Sequence, residues 1–283
     1  MPHSIRLPSL ARASRVVPAV VAAWAAAAAA EPLPTVASIN VCADQHVLAL
    51  ADHEQILTVS WLAADAEESL FAREARRYAL NYGTAEELLK FKPDVVLAGT
   101  YTSPFTRTLL RRLGQRVVEL APEASVEDIE RNVRVVAEAV GHVERGEQLI
   151  AKMHDAVRAL DAGRPPRSLP TVIVRPGGFT VGADSLGHEL LYLAGLRNVA
   201  AEQGLDRWGS LSLETLLRSA PDIIVLSGYH ASNASLANMT LRHPALEHLR
   251  SRVQTVTVPA PLSACGLPES LRSVELLQQA AGR

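Results

Sequence analysis

The apolar positions of this chain recur in one composite unit. Residues 84–99 read TAEELLKFKPDVVLAG, and residues 212–227, placed 128 residues later, read SLETLLRSAPDIIVLS. In each copy a Thr or Ser precedes the first turn, an acid (Glu86 or Glu214) stands within it, and a Leu-Leu pair marks one face. That is the pattern of a capped helix. Pro93-Asp94 and Pro221-Asp222 stop the helix, and an unbroken apolar run follows. Such a run predicts a strand covered on both faces, as in a parallel sheet. Both copies continue alike, with helices predicted over 105–113 and 243–251 and strands over Val117–Leu120 and Val253–Val258. Earlier strands are predicted at Ala37–Val41 and up to Val59-Ser60-Trp61, and one more at Thr171–Val174. Helix and strand alternate through each half, so the expected fold is α/β, with two parallel-sheet lobes and a ligand cleft between them. A period this long points to two related lobes rather than a solenoid.

Helical sequence joins the halves. Ser125-Val126-Glu127-Asp128 resembles a capping box, and Ile129, Val133, Val136 and Val140 follow at helical spacing up to Gly141. A second helix is predicted from about Val143 to Leu160, with Leu149, Ile150, Met153 and Val157 on one face, ahead of the stiff break Gly163-Arg164-Pro165-Pro166. The predicted divisions are a leader at 1–30, a first lobe at 31–141, a linking helix at 142–166 and a second lobe at 167–283. A helical linker resists bending, so modest closure on ligand is expected.

The first thirty residues change the compartment. Arg6, Arg12 and Arg15 precede an apolar run from Val16 to Ala30, which ends in Ala28-Ala29-Ala30 before Glu31-Pro32. This reads as a signal peptide, with a retained membrane anchor as the alternative. The run is short for a spanning helix. Cleavage removes three arginines and no acids, so a net charge of −2 becomes −5. The absence of a long basic stretch argues against nucleic acid as a partner. Export gives the two cysteines, Cys42 and Cys265, three readings: inert buried thiols, a disulfide, or soft metal ligands.

Aromatic residues are only 4% of the chain, and their places are informative. Trp61, Tyr101, Phe105, Phe179, Trp208 and Tyr229 fall where strands are expected to end. Ligands of open α/β sheets bind outside the carboxyl ends of the strands. Asn40-Val41-Cys42-Ala43-Asp44 is expected at the first of these tips, and Arg175-Pro176-Gly177-Gly178-Phe179 at the first tip of the second lobe. Rings separated by Gly and Pro suit a large, flat, partly apolar ligand. Arg175 could pair a carboxylate or phosphate on it. His230, beside Tyr229, could ligate a metal or donate to an anionic ligand, although a histidine at a strand tip is more often a surface or hydrogen-bonding residue. No nucleophile elbow, metalloprotease helix or Walker loop occurs, so an enzyme is not expected and no catalytic or metal-ligating set is assigned.

The helix–Lys-Pro-Asp–strand unit at 84–98 and its echo at 212–226, in two lobes about one long helix, resemble the periplasmic substrate-binding proteins of ABC importers for iron–siderophores, haem and vitamin B12. The resemblance covers roughly residues 35–280 and is nearest to the vitamin B12-binding branch. It implies a periplasmic monomer with no cofactor of its own. Such a protein takes up a metal chelate, most nearly a cobalamin-type corrinoid, and delivers it to an ABC permease in the inner membrane. Ferric siderophore, haem, or scavenging and sensing without transport are the alternatives. One surface glutamate per lobe would dock on the permease, here Glu86 and Glu214. The ligand loops would supply Trp61, Tyr101, Phe179, Trp208 and Tyr229. The last loop falls on Pro261-Leu262-Ser263-Ala264-Cys265, with Ser263 and Cys265 as candidate contacts. This loop is small and nearly apolar where the corrinoid binders carry an aromatic and charged residues.

Overall fold

The computed structural model describes residues 32–228 and 243–282. The expected leader, Tyr229 and His230 lie outside them.

The first lobe opens with β1 (Val36–Ser38) and α1 (Val41–Leu50), then β2 (Ile56–Ser60), the one-turn α2 (Ala72–Ala75) and β3 (Ala79–Asn81). It continues with α3 (Ala85–Phe91), β4 (Val95–Gly99), α4 (Pro104–Arg112) and β5 (Arg116–Leu120). Two helices follow, α5 (Val126–Val140) and α6 (Val143–Leu160), bridged by an Arg134–Glu147 ion pair at 2.7 Å. The second lobe holds β6 (Pro170–Val174), β7 (Phe179–Val181), α7 (Leu186–Leu193), β8 (Arg197–Asn198), α8 (Val199–Glu202), β9 (Trp208–Ser210), α9 (Leu213–Ser219) and β10 (Ile223–Ser227). It closes with α10 (Pro244–Arg250), β11 (Gln254–Val258) and α11 (Leu271–Ala281).

Both main sheets are parallel, in the orders β3-β2-β1-β4-β5 and β11-β10-β6-β8. The repeated unit explains their layers. In β4, Val95 and Leu97 face α1 and α5, while Val96 and Ala98 pack with Leu88 of α3 and Leu110 of α4. In β10, Ile223 and Val225 belong to the large inner cluster, where Val225 lies by Leu190 of α7 and Leu277 of α11, and Ile224 and Leu226 pack with Leu216 of α9 and Leu246 of α10. Side chains alternate across a strand, so a continuous apolar run is what a doubly covered strand requires.

The two copies also end their helices alike. Thr84 and Ser212 cap α3 and α9 by accepting from the Glu87 and Thr215 amides, at 3.3 and 3.1 Å. Lys92 and Ala220, each just before the Pro-Asp pair, adopt the left-handed conformation with φ of 50° and 43°. The linking helix α6 has 18 residues, a span of about 27 Å.

Two expectations need correction. The first strand stops at Ser38 rather than Val41, because the Asn40 side chain accepts from the Cys42 and Ala43 amides at 3.1 and 3.3 Å and starts α1 at Val41. Phe179 and Trp208 do not end parallel strands. They belong to β7 and β9, which form a separate two-stranded antiparallel sheet pairing Val181 with Trp208.

Candidate ligand cleft

Each sheet has one point where the chain reverses its direction of build. In the first it lies between β1 and β4, and in the second between β6 and β10. The crevice outside the strand ends at such a point is the ordinary ligand site of an open α/β sheet. Here one cleft uses both. At the first switch point Asn40 meets Gly99, where an added Cβ would sit 3.0 Å from the Asn40 side chain, so any larger residue there requires Asn40 to shift. At the second, Arg175 follows β6 and Ser227-Gly228 ends β10.

Two adjoining cavities occupy the space between these points. One, of about 220 Å³, is lined from the first lobe by Asn40, Cys42, Tyr101 and Glu123, and from the second by Arg175, Arg207 and Trp208. The other, of about 430 Å³, is lined by Arg175, Phe179, Thr180, Trp208 and Ser263 together with Glu68 of the first lobe. The larger volume falls within the roughly 300–1,000 Å³ usual for small-molecule sites.

Contacts across the cleft are aromatic and cationic. Tyr101 meets Trp208 edge to face, with ring centroids 5.5 Å apart. Arg207 donates to the Tyr101 hydroxyl at 3.3 Å and lies 5.7 Å from the centre of the Trp208 ring. Its Nε donates to Asp184 at 2.8 Å. The Asp184 pair and the Tyr101 hydrogen bond, in that order, raise the guanidinium's pKa further above its ordinary value. Gly182 makes this arrangement possible, because a Cβ there would sit 1.9 Å from the Leu205 carbonyl oxygen. The close approach lets Gly182 and Ala183 donate to Arg207 and Leu205, at 2.8 and 2.9 Å, which fixes the segment carrying Arg207 and Trp208.

The floor contains groups that the sequence did not single out. Glu123 is largely buried and accepts from Asn132 at 2.6 Å, with His46 Nε2 at 3.4 Å. Burial pushes its carboxyl up, but the contacts with His46 and Asn132 outweigh this and hold it below the usual range. No local motif marks Glu123; it enters the site because α5 and the tip of β5 meet there. Tyr82 was also missed. It stacks on Trp61, at 6.2 Å between ring centroids, and neither ring lines the two cavities.

The remaining predicted residues divide clearly. Cys42 and Cys265 form a disulfide, with their Cα atoms 5.2 Å apart. That replaces both the thiolate-ligand and the inert-thiol readings. Cys42 lines the smaller cavity, whereas Cys265 is fully buried behind it. Asp44 is not a cleft residue. It has no exposed surface, and its carboxylate accepts from the Ser60 amide at 3.0 Å and from the Ser60 hydroxyl. Asn40 lines the cleft while serving as the cap of α1. Glu86 and Glu214 are exposed in the first turns of α3 and α9, away from both cavities, and Glu214 pairs with Arg218 at 2.6 Å. Among the described residues, no group of three or more His, Cys, Asp or Glu side chains is placed to hold a metal ion.

Residues 36–254 match the family described as periplasmic binding protein. The chain belongs to that family. No curated protein sequence matches it. Its fold is shared with the apo periplasmic heme-binding protein RhuT of Roseiflexus, at 20% identity and a TM-score of 0.72, over 88% of this chain and 97% of that one. The periplasmic vitamin B12-binding protein BtuF of Vibrio cholerae superposes with a TM-score of 0.68 at 18% identity, over 89% and 97% of the two chains. An ABC-type Fe3+-hydroxamate transport protein of Saccharomonospora viridis does so with a TM-score of 0.67 at 19% identity, over 89% and 94%. Family and neighbours are binding proteins, and this periplasmic binding protein shares their two parallel-sheet lobes.

Proposed function

We propose that the exported, mature protein captures a metal-chelating tetrapyrrole, a cobalamin-type corrinoid or haem, in the interlobe cleft and presents it to an ABC permease of the inner membrane. The observation that carries this reading is the cross-lobe contact of Tyr101 with Trp208 and Arg207 at the cavity that both switch points face. Rings from both lobes offer a flat apolar ligand stacking area at little entropy cost. The metal arrives inside the ligand, and the protein performs no chemistry on it.

The corrinoid follows from the resemblance in sequence. Haem is favoured by one feature of the site: the Tyr101 phenol is held beside a guanidinium, and a phenolate is a known axial ligand of haem iron. Calorimetric titration of the mature protein with cyanocobalamin, cobinamide, haemin and a ferric hydroxamate separates the readings. Tight one-to-one binding of a corrinoid or haemin is expected, weakened at least about tenfold by Trp208→Ala, as for an aromatic anchor that the ligand covers. Binding of the hydroxamate alone would refute the tetrapyrrole.

The permease contact is assigned to Glu86 and Glu214, equivalent exposed acids on equivalent helices of the two lobes. Charges of this kind steer and register association more than they add affinity. A Glu86→Lys/Glu214→Lys double variant is expected to keep wild-type ligand affinity and to lose at least about ten-fold in uptake rate at limiting protein. Unchanged uptake would refute the docking assignment and leave ligand capture standing.

A further inference from the structure

Among the described residues, two arginines at or near the strand tips, Arg107 and Arg207, are each ion-paired within the protein. Arg107 pairs with Glu119, and Arg207 with Asp184. Arg175 differs. It borders both cavities, and a small apolar void lined by Ile173, Leu190 and Val225 lies behind it. Among the described residues no carboxylate stands within ion-pair distance of it. Its Nε is buried without a partner, and its one side-chain hydrogen bond is a long one, 3.5 Å from Nη2 to the Ser263 carbonyl. Burial alone lowers its pKa from the ordinary value, with no neighbouring charge acting on it. Its backbone is nonetheless fixed. The Arg175 amide donates to the Phe179 carbonyl at 2.8 Å, and the Gly178 amide donates to the Arg175 carbonyl at 3.1 Å.

A guanidinium does not shed its proton in a protein, so burial cannot neutralise it. Buried charges are accordingly found paired, and an unpaired one is destabilising. The neighbouring hydroxyls repeat the pattern. Thr180 is 3% exposed, and its Oγ1 has no partner. The Ser227 and Ser263 hydroxyls, 2.9 Å apart, complete the polar patch on the same wall. A cation and an unpartnered hydroxyl lining one cavity beside this serine pair make a seat for an oxyanion.

We infer that Arg175, with the Thr180 hydroxyl, is the seat for an anionic substituent of the ligand, a carboxylate or a phosphate ester borne by the chelate, and that the protein selects chelates carrying that group over the same chelate without it. The inference rests on capture of a chelate in this cleft. It makes Arg175 a specificity determinant, because the ligand brings the counter-ion that the described residues do not supply.

Two ligand pairs distinguish the sources of the anion. Haemin and its dimethyl ester differ in free carboxylates; cyanocobalamin and dicyanocobinamide differ in the nucleotide loop that carries the phosphodiester, and the Arg175→Met ratio reads the part due to the charge. The mature wild-type protein is expected to favour the anionic member of the pair it binds by about 10- to 100-fold, the range of a charge-assisted hydrogen bond. In Arg175→Met this ratio falls to near one, in Arg175→Lys part of it returns, and the melting temperature of unliganded Arg175→Met is no lower than that of wild type. Equal binding of both members by wild type overturns the inference. So does an unchanged ratio in Arg175→Met, which is what a merely structural arginine would give. If neither pair binds, the proposed tetrapyrrole ligand fails, and the seat is then read by itself. Inorganic phosphate should raise the melting temperature of wild type and not of Arg175→Met, and the absence of that difference overturns the inference too.

Discussion

Replacing Cys42 and Cys265 together by alanine is expected to lower the free energy of unfolding by about 3–5 kcal/mol, the largest loss predicted for any change to this chain. The disulfide closes a loop of 223 residues, almost the whole described chain. Long loops give the unfolded state the most freedom to regain when the cross-link is removed. The link also has a mechanical role. Cys42 lies in the first turn of α1 in the first lobe, and Cys265 follows β11 in the second, so the bond ties together the two walls of the cleft. Denaturant unfolding of the double variant, and of wild type under reducing conditions, reads the effect. Equal midpoints with and without the bond would show that the lobes hold together without it. Export to an oxidising compartment fits a protein built around such a link.

The second large effect concerns pH. Asp44 is pushed up to about 6 by burial, against the hydrogen bonds from Ser38 and Ser60 that favour its ionised form. The sign follows from proton counting. Below about pH 4 the carboxyl is protonated in both states and costs nothing. Between about pH 4 and 6 the unfolded chain releases its proton first, so stability falls as pH rises, and above about pH 6 the loss is complete at about 3 kcal/mol. Asp44→Asn should remove this slope. Its amide can accept from the Ser60 amide and donate to the Ser60 hydroxyl, so the variant is expected to be more stable than wild type by about 1–3 kcal/mol at pH 7.5 and about equal at pH 4. Unfolding curves at several pH values test this, and wild-type and variant curves that run parallel would refute it. Asp44 thus serves the joint between α1 and the end of β2 rather than the ligand.

The two α/β lobes were legible because their signals are local. A capped helix, a Pro-Asp stop and an apolar run lie within sixteen residues, and the chain carries that unit twice. The linking helix was legible for the same reason, from its spacing of apolar positions. The site was less so, because its contacts are distant in sequence. Tyr101 and Arg207 are separated by 106 residues, and the antiparallel pairing that presents Trp208 joins segments that carry no hairpin signal. Asp44 and Asn40 show a second limit. Proximity to a strand tip does not say which way a side chain points, and here one turns inward to Ser60 while the other caps its own helix. Trp61 shows a third, since its ring stacks on Tyr82 outside the two cavities. The rarity of aromatics did mark Tyr101, Phe179 and Trp208, all of which border the described cleft or its mouth.

The core crosses from one lobe to the other without a break. A single cluster runs from Val36 and Leu97 of the first sheet, through Val133 and Met153 of the linking helices, to Ile173, Val225 and Leu277 of the second lobe. The duplication is therefore one of pattern and not of autonomy, since the inner faces of both halves belong to one apolar cluster that runs through the linking helices. Close-packed interiors resist sliding. A ligand entering the cleft meets two walls whose foundations are one solid, and accommodation falls to the segments at the strand tips. Selectivity in such a molecule resides in how those tips are furnished, and the shared interior serves to keep them facing each other.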